Sequence, residues 1–505
     1  MASEEVVQFP DDFLIGTGSA AYQIEGGWDS DNKSPSIWDQ YFHSKNIIVS
    51  NPSVVTLGPK KKCSNFHKGT DIHSEDPSRG FSIVNGDIAC DSYNKLDEDI
   101  MNLVELGVNT YRFSISWPRV LPYADDRKVN AAGVEYYQSL IQNLLDNNIT
   151  PVVTMYHWDL PNCLQDLGGW SNPNIIEYFV NYASFIFRTF GSQVKIWTTI
   201  NEPRFVALAY GNENIAPSVG ESFNGIADYM AIRNVLLAHA AAYKLYKSKY
   251  FAEQQGEISL CLDTMAYFPK NPDLEDDLIA VKKSYDFNIG IFTQPLKNGT
   301  FPQSVLDGIA TTDEYENISL KRIVEFNEKE KEILIGSYDF IAFNYYESFL
   351  VTTMTEKDYL NETYLLNRDL GVVSTPNSNN MEDSFRGFTD VINWFVEHLD
   401  NPKLFVAENG IFEKPNEDES EKKIKYHHGI LTELYKALKK GVAIKGYCVW
   451  SFMDSLEWTS GYFVKLFGIY AVDFNHPNRP RAKKSSFEFF QTLFKTKTLP
   501  SIKSN

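Results

Sequence analysis

Cysteine is sparse and never clustered. The five thiols stand at positions 63, 90, 163, 261 and 448, with no CxxC pair and no Cys/His spacing that would hold zinc. Cys163 reads as a loop residue, while Cys261 and Cys448 sit inside apolar runs as inert core thiols. Cys63 and Cys90 flank an irregular stretch and could pair only in an oxidising, secreted setting. Basic residues are also in deficit: 47 Lys and Arg against 66 Asp and Glu leave a net charge of −19. Such a surface repels phosphate backbones and argues against a nucleic-acid partner. No apolar run approaches the roughly 20 residues of a membrane span, so no membrane partner is expected. The opening residues lack the basic and apolar regions of a secretory leader. The expectation is a secreted protein whose leader has been removed, with the cytosol as the alternative. Sequons at Asn32, Asn148, Asn298, Asn317 and Asn361 admit glycosylation.

Aromatics, by contrast, are plentiful: 34 Phe, 28 Tyr and 9 Trp. They suit a large core or a stacking cleft equally. Short β-favouring runs recur along the chain at Phe13–Gly18, Val108–Ser114, Thr150–Tyr156, Val194–Ile200, Glu257–Leu262, Tyr338–Phe343, Lys403–Ala407 and Lys445–Val449. Their near-continuous apolar character fits strands buried on both faces of a parallel sheet. Between them, stripes with a 3.6 period predict helices, as at Leu96, Ile100, Leu103 and Val104, which Gly107 can end. Further helices are predicted over Ile175–Phe190, Tyr229–Tyr250, Asp390–Leu399, Ile424–Leu438 and Ser486–Phe494. This alternation predicts one α/β domain over residues 9–495, a (β/α)8 TIM barrel whose long βα loops form the rim. Lys45–Asn85 and Met354–Asp383 read as irregular excursions, and Glu413–Glu421 as a solvated acidic loop.

Two strand tips carry the chemistry. Trp197-Thr198-Thr199-Ile200 runs into Asn201 and Glu202, and Pro203 pushes Glu202 out of the helical region. Leu404-Phe405-Val406-Ala407 likewise delivers Glu408 and Asn409 ahead of Gly410. Paired carboxyls on two strand ends are the equipment for splitting a glycosidic bond. A barrel gathers every strand's carboxy-terminal end at one mouth. Gln23, Arg112, His157, Trp158, Asn344, Tyr346, Trp450, Glu457 and Trp458 would meet there. Indole faces suit the C–H faces of a sugar, while amides and acids suit its hydroxyls. One imidazole without paired acids would under-coordinate an ion, so neither a metal nor a cofactor is expected.

The ordered motifs AYQIEG, YRFSISWPR, HWDLP, TINEP, FNYY, ENG, WSFMDSLEW and FGIYAVDF resemble glycoside hydrolase family 1, its insect members most of all. The resemblance runs from Phe9 to about Phe494 and implies a retaining β-glycosidase. It implies that Glu202 is the acid/base and Glu408 the nucleophile, about 5–5.5 Å apart. Arg112, Asn344 and Tyr346 match the support around the nucleophile. Gln23, His157, Asn201, Trp450, Glu457 and Trp458 match the residues that hold the sugar, with Trp158 and Phe467 in the same wall. Trp117 and Phe113 are expected to be barrel packing instead. The substrate expected is a small-molecule β-glucoside, with fucosides and galactosides in range, and a homodimer is compatible.

Some features depart from the family pattern. Ala407 stands where Thr is usual, the Val464–Gly468 stretch is one residue longer than the usual pattern, and Arg204 is an uncommon neighbour of the acid/base. Arg204 reads either as recognition of an anionic or polar aglycone or as a rim arginine paired with an acid such as Glu213. Glu457-Trp458 disfavours a phosphoglycosidase. A thioglucosidase is the alternative within the enzyme class, and a catalytically dead sugar-binding barrel is the alternative outside it. The second requires loss of one catalytic Glu, and both are present.

Overall fold

In the computed structural model, residues 6–45, 48–49, 82–377 and 380–502 are described. Eight strands form its centre: β1 (Leu14–Gly18), β2 (Thr110–Ser114), β3 (Thr150–Tyr156), β4 (Ile196–Asn201), β5 (Glu257–Pro269), β6 (Ile341–Thr353), β7 (Leu404–Asn409) and β8 (Ile444–Trp450). Each pairs in parallel with the next, and β8 pairs with β1, which closes the ring. This is the predicted (β/α)8 barrel. Closure leaves no sheet edge to protect.

The strands are buried on both faces. Val152, Ile196, Cys261, Ala342, Phe405, Ala407 and Cys448 pack together with Leu14 as one apolar cluster at the barrel centre. Ala407 therefore sits in the interior packing, where its small side chain meets Phe405 and Cys448. Outside the ring, Ile175–Phe190 forms the helix expected, and its Phe187 packs edge-on against Trp197 at 5.6 Å. Gly107 ends the Leu96–Leu106 helix in the left-handed region, φ 81°, a conformation that costs glycine little. Trp117 is fully buried and stacks on Tyr182 at 4.4 Å, and Phe113 is buried too, so both are packing residues as expected.

Several expectations are corrected. β5 and β6 run to Pro269 and Thr353, well past Leu262 and Phe343, because the two continue pairing above the barrel. Helices Glu275–Tyr285, Ile291–Asn298, Gln303–Glu316 and Glu328–Leu334 lie between them, unforeseen from the sequence. The Met354–Asp383 excursion is ordered into helices Glu356–Asn361 and Leu365–Leu370 and a strand, Val372–Pro376, antiparallel to the end of β6. Cys163 belongs to a short helix, Asn162–Gln165. Most of Lys45–Asn85, including Cys63, lies outside the described residues; Cys90 is a buried free thiol that donates to the Asp454 carbonyl at 3.2 Å. All five sequon asparagines are exposed. Among the described residues, no helix is long and apolar enough to cross a membrane.

Candidate active site

Strict alternation would not aim both Asn201 and Glu408 inward. In β4, Ile196 and Thr198 face the interior, Thr198 sharing a 2.7 Å hydroxyl bond with Thr154 of β3, while Thr199 turns out to His239. The register against β5 then slips: Thr198 opposes Ser259, but Asn201 opposes Cys261. One extra residue in β4 re-aims Asn201 into the barrel. The same device recurs in β7, where Val406 opposes Phe343 but Glu408 opposes Asn344. Consequently Ala407 and Glu408 both reach the interior. Bulges beside active sites serve to redirect side chains in this way.

Glu202 follows the first bulge, with its N–H donating to the Cys261 carbonyl at 2.8 Å. Its φ of 48° is left-handed, an unusual place for a side chain with a Cβ, and Pro203 opens the short helix behind it. The proline excludes the right-handed region as expected, and the residue takes the left-handed one. Asn344 Nδ2 donates to Glu202 Oε1 at 2.8 Å and to Asn201 Oδ1 at 3.2 Å. Arg112 Nη2 donates to the same Asn201 oxygen at 2.7 Å, and Arg112 Nη1 donates to Glu408 Oε1. An unbroken chain of side chains thus links the two carboxyls. The second Glu408 oxygen accepts from the Tyr346 hydroxyl at 2.6 Å.

These two acids have unlike surroundings. Burial pushes the Glu202 carboxyl well above its usual range, and the charges of Glu408 and then Asp263 push the same way. Glu408, in contrast, holds a guanidinium on one oxygen and a phenol on the other. Burial raises the Tyr346 phenol, with Glu408 adding to it, so Tyr346 stays a donor. Burial opposes the Arg112 charge, but Glu408 and its other neighbours outweigh it.

The remaining predicted residues line the same mouth. His157 Nε2 faces Asn201 Nδ2 at 3.0 Å; since Asn201 Oδ1 accepts twice, its amide donates and the ring proton belongs on Nδ1. Burial, and then Arg112, hold His157 well below its usual range, so it is neutral. Its buried Nδ1 has no protein partner, and neither does Gln23 Oε1. Such orphans call for a ligand or a water. Gln23 Nε2 meets Glu457 Oε1 at 3.2 Å, and burial lifts Glu457 to about 7. Trp158 donates to the Asn201 carbonyl at 3.0 Å and packs on Trp458 at 4.5 Å. Trp450 lies against His157, their ring centres 6.0 Å apart, and Phe467 meets Tyr346 edge-on at 5.7 Å. Every predicted site residue therefore gathers at one end of the barrel, although Asn344 and Tyr346 sit within β6 rather than at its tip.

Residues outside the predicted sugar-binding and catalytic set hold this mouth in place, among them Asn409, which the sequence placed at a strand tip beside Glu408. Asn409 faces away from the cleft: its Nδ2 donates to the Tyr345 carbonyl at 2.6 Å, and its Oδ1 accepts from Tyr447 at 2.6 Å. Glu413, expected in a solvated loop, is buried and accepts from Lys423 at 2.9 Å and from Lys484 at 2.7 Å. Lys423 also donates to the carbonyls of Phe467 and Gly468, at 3.2 and 2.9 Å, and so fixes the pocket wall. Burial, and then Lys484, pull Lys423 down to about 8. Replacing Glu413 with Ala takes the carboxylate partner from buried Lys423 and leaves half-buried Lys484 with Asp454 alone. The expected result is a loss of about 3–5 kcal/mol of stability, read as a lower thermal midpoint, together with a raised KM as the wall loosens. Arg204 is paired with an acid, as one of its two readings expected, but the acid is Asp263 of β5, at 2.6 Å, rather than Glu213, since β5 lies directly beside β4. Among the described residues, no three His, Cys, Asp or Glu side chains are grouped to hold a metal ion.

A closed barrel thus carries at its mouth two linked carboxyls in unlike surroundings, ringed by indoles and unspent polar atoms, an arrangement that can act on a glycosidic bond. The model of glycosyl hydrolase family 1 matches residues 5–55 and 61–499. The chain belongs to that family of retaining β-glycosidases. It is 34% identical to Myrosinase 1 of Brevicoryne brassicae over 97% of this chain and 99% of the relative. Against the cytosolic beta-glucosidase of Cavia porcellus the identity is 33%, over 97% and 99%. Identity to the rat lactase/phlorizin hydrolase is 38% over 98% of this chain, which spans only 24% of that relative's length. Among solved structures, aphid myrosinase superposes with a TM-score of 0.83 at 33% identity, covering 97% of this chain and 99% of the other. The rice Os3BGlu6 beta-glucosidase gives 0.82 at 31%, again covering 97% and 99%.

Proposed function

We propose that the chain hydrolyses terminal β-D-glucosyl residues of O-glucosides through a covalent glycosyl–enzyme intermediate, with Glu202 as acid/base and Glu408 as nucleophile. The observation that carries this reading is the asymmetry between the two acids. Glu202 is buried against the charge of Glu408, which keeps its proton available for the departing oxygen. Glu408 holds Arg112 and Tyr346 on its two oxygens, an environment suited to an ionised nucleophile. Once Glu408 is glycosylated its negative charge disappears, so Glu202 gives up its proton more readily and activates water. Asn201, its amide oriented by Arg112 and His157, is placed to bond the 2-hydroxyl, a contact that strengthens in the transition state. Gln23 Oε1, His157 Nδ1 and Glu457 take the remaining hydroxyls, and Trp450 offers a face for the ring.

The pairing of Arg204 supports the O-glucoside reading. Its Nε is spent on buried Asp263, so the pair presents no net charge to an anionic aglycone. This favours neutral O-glucosides over sulfated thioglucosides. A second reading, a thioglucosidase, keeps the similarity to the aphid enzyme in its favour. Steady-state assays on a nitrophenyl β-D-glucoside and an intact glucosinolate separate the two. We expect kcat/KM to favour the O-glucoside by about tenfold or more, the worth of one missing charge-assisted contact; a preference for the glucosinolate overturns the substrate reading. The five exposed sequons support a secreted location.

A further inference from the structure

We propose that Asp263, acting through its ion pair with Arg204, is a positioning residue that keeps Glu202 protonated and so sets the alkaline limit of activity. The inference rests on the assignment of Glu202 as acid/base. Neither Asp263 nor Arg204 makes or breaks a bond in the mechanism above, yet the two are locked together within two residues of Glu202 in the chain and of Cys261 in β5.

Asp263 lies two residues beyond Cys261, whose carbonyl holds the Glu202 N–H, and opposite Asn344 of β6, whose amide donates to Glu202. It is buried, 4% exposed. Its Oδ2 accepts from Arg204 Nε at 2.6 Å and from Asn288 Nδ2 at 3.3 Å. Its Oδ1 is buried with no partner, a costly condition for a carboxylate unless its charge serves something nearby. Arg204 is two residues past Glu202 and is locked by the same pair, its guanidinium over the Phe205 ring at 4.7 Å and its Nη2 against Met265 Sδ at 3.9 Å. Arg204 would stabilise a Glu202 anion; Asp263 cancels that pull.

The other groups facing Glu202 come from each neighbouring strand. Arg112 of β2 favours its anion, as does the Asn344 amide of β6, while Glu408 of β7 opposes it. Tyr346 of β6 and Cys261 of β5 also feel its charge, and both are neutral thiol or phenol groups raised by burial. After burial, Glu408 and then Asp263 are the neighbours that push Glu202 upward. In the covalent intermediate Glu408 is esterified and no longer pushes on Glu202, which leaves that effect to Asp263. It would then keep Glu202 basic enough to activate water, with the proton passing from water to Glu202 as the water oxygen bonds the anomeric carbon and Glu408 departs.

The test is the pH profile of kcat/KM on a nitrophenyl β-D-glucoside for wild type, Asp263→Asn, Arg204→Gln and the double variant. In Asp263→Asn the uncompensated Arg204 charge favours ionised Glu202. We expect the alkaline limb to move down by about one pH unit, equivalent to a tenfold loss just above it. Arg204→Gln should move the limb upward, and the double variant should return it toward wild type. A structural role alone would lower activity at every pH without moving the limb. Limbs coinciding within about 0.2 unit in whichever variants fold overturn the proposal. Glu202→Gln is the control. Loss of its alkaline limb upholds the acid/base reading independently, whereas an unchanged limb sinks that reading and this inference with it.

Discussion

Replacing Glu408 with Ala removes turnover of β-glucosides by about 10⁴-fold or more, while the protein still melts cooperatively. The magnitude follows from losing the attacking group outright: without a nucleophile the two-step route is closed, and only sugar binding and the remaining electrostatics contribute. At 1.36 kcal/mol per decade, that is about 5.5 kcal/mol of lost transition-state stabilisation. The substitution also takes from buried Arg112 and from Tyr346 the two oxygens to which they donate, leaving Arg112 its bond to Asn201. A small carboxylate such as formate fits the vacated space and should restore part of the rate by attacking in place of Glu408. Undiminished turnover in Glu408→Ala contradicts the assignment.

Glu202→Gln produces a loss that depends on the leaving group. An alkyl glucoside, whose alkoxide must be protonated as it departs, should slow by about 10²–10⁴-fold. A dinitrophenyl glucoside, whose phenolate leaves unaided, should form the covalent intermediate at nearly the wild-type rate and then stall, because water lacks its base. The pH dependence gives a second signature. Burial and the charge of Glu408 hold Glu202 above the usual carboxyl range. In the wild type it therefore keeps its proton as pH rises past that range, and kcat/KM falls only above its raised value. That alkaline fall should vanish in Glu202→Gln, and equal losses for both leaving groups would contradict the acid role.

The barrel and the inventory of its mouth were legible because parallel strands buried on both faces leave long apolar runs, each ending in a polar tip. Trp197–Glu202 and Leu404–Glu408 carry that signature openly. What was hidden depends on contacts between distant segments. The slips opposite Cys261 and Asn344 leave no mark in a single strand, since one extra residue alters only the pairing. Glu413 sits in an acidic run that composition assigns to solvent, yet Lys423 and Lys484 draw it into the interior. Asp263 lies just beyond the strand predicted over Glu257–Leu262, and only the continued pairing of β5 with β6 places it beside Arg204. The helices between Glu275 and Leu334 escaped notice because polar residues interrupt their apolar stripes, as in Glu328–Leu334, whose start is fixed by the Asn327 capping box.

The central claim is that Glu202 and Glu408, brought together by two bulged strands, act across one sugar ring by double displacement. Proton NMR of the first glucose released from a β-glucoside, recorded before mutarotation, tests it most directly. The account predicts that β-glucose appears first and α-glucose grows in only as the anomers equilibrate. Initial release of α-glucose would mean single displacement by water and would contradict it.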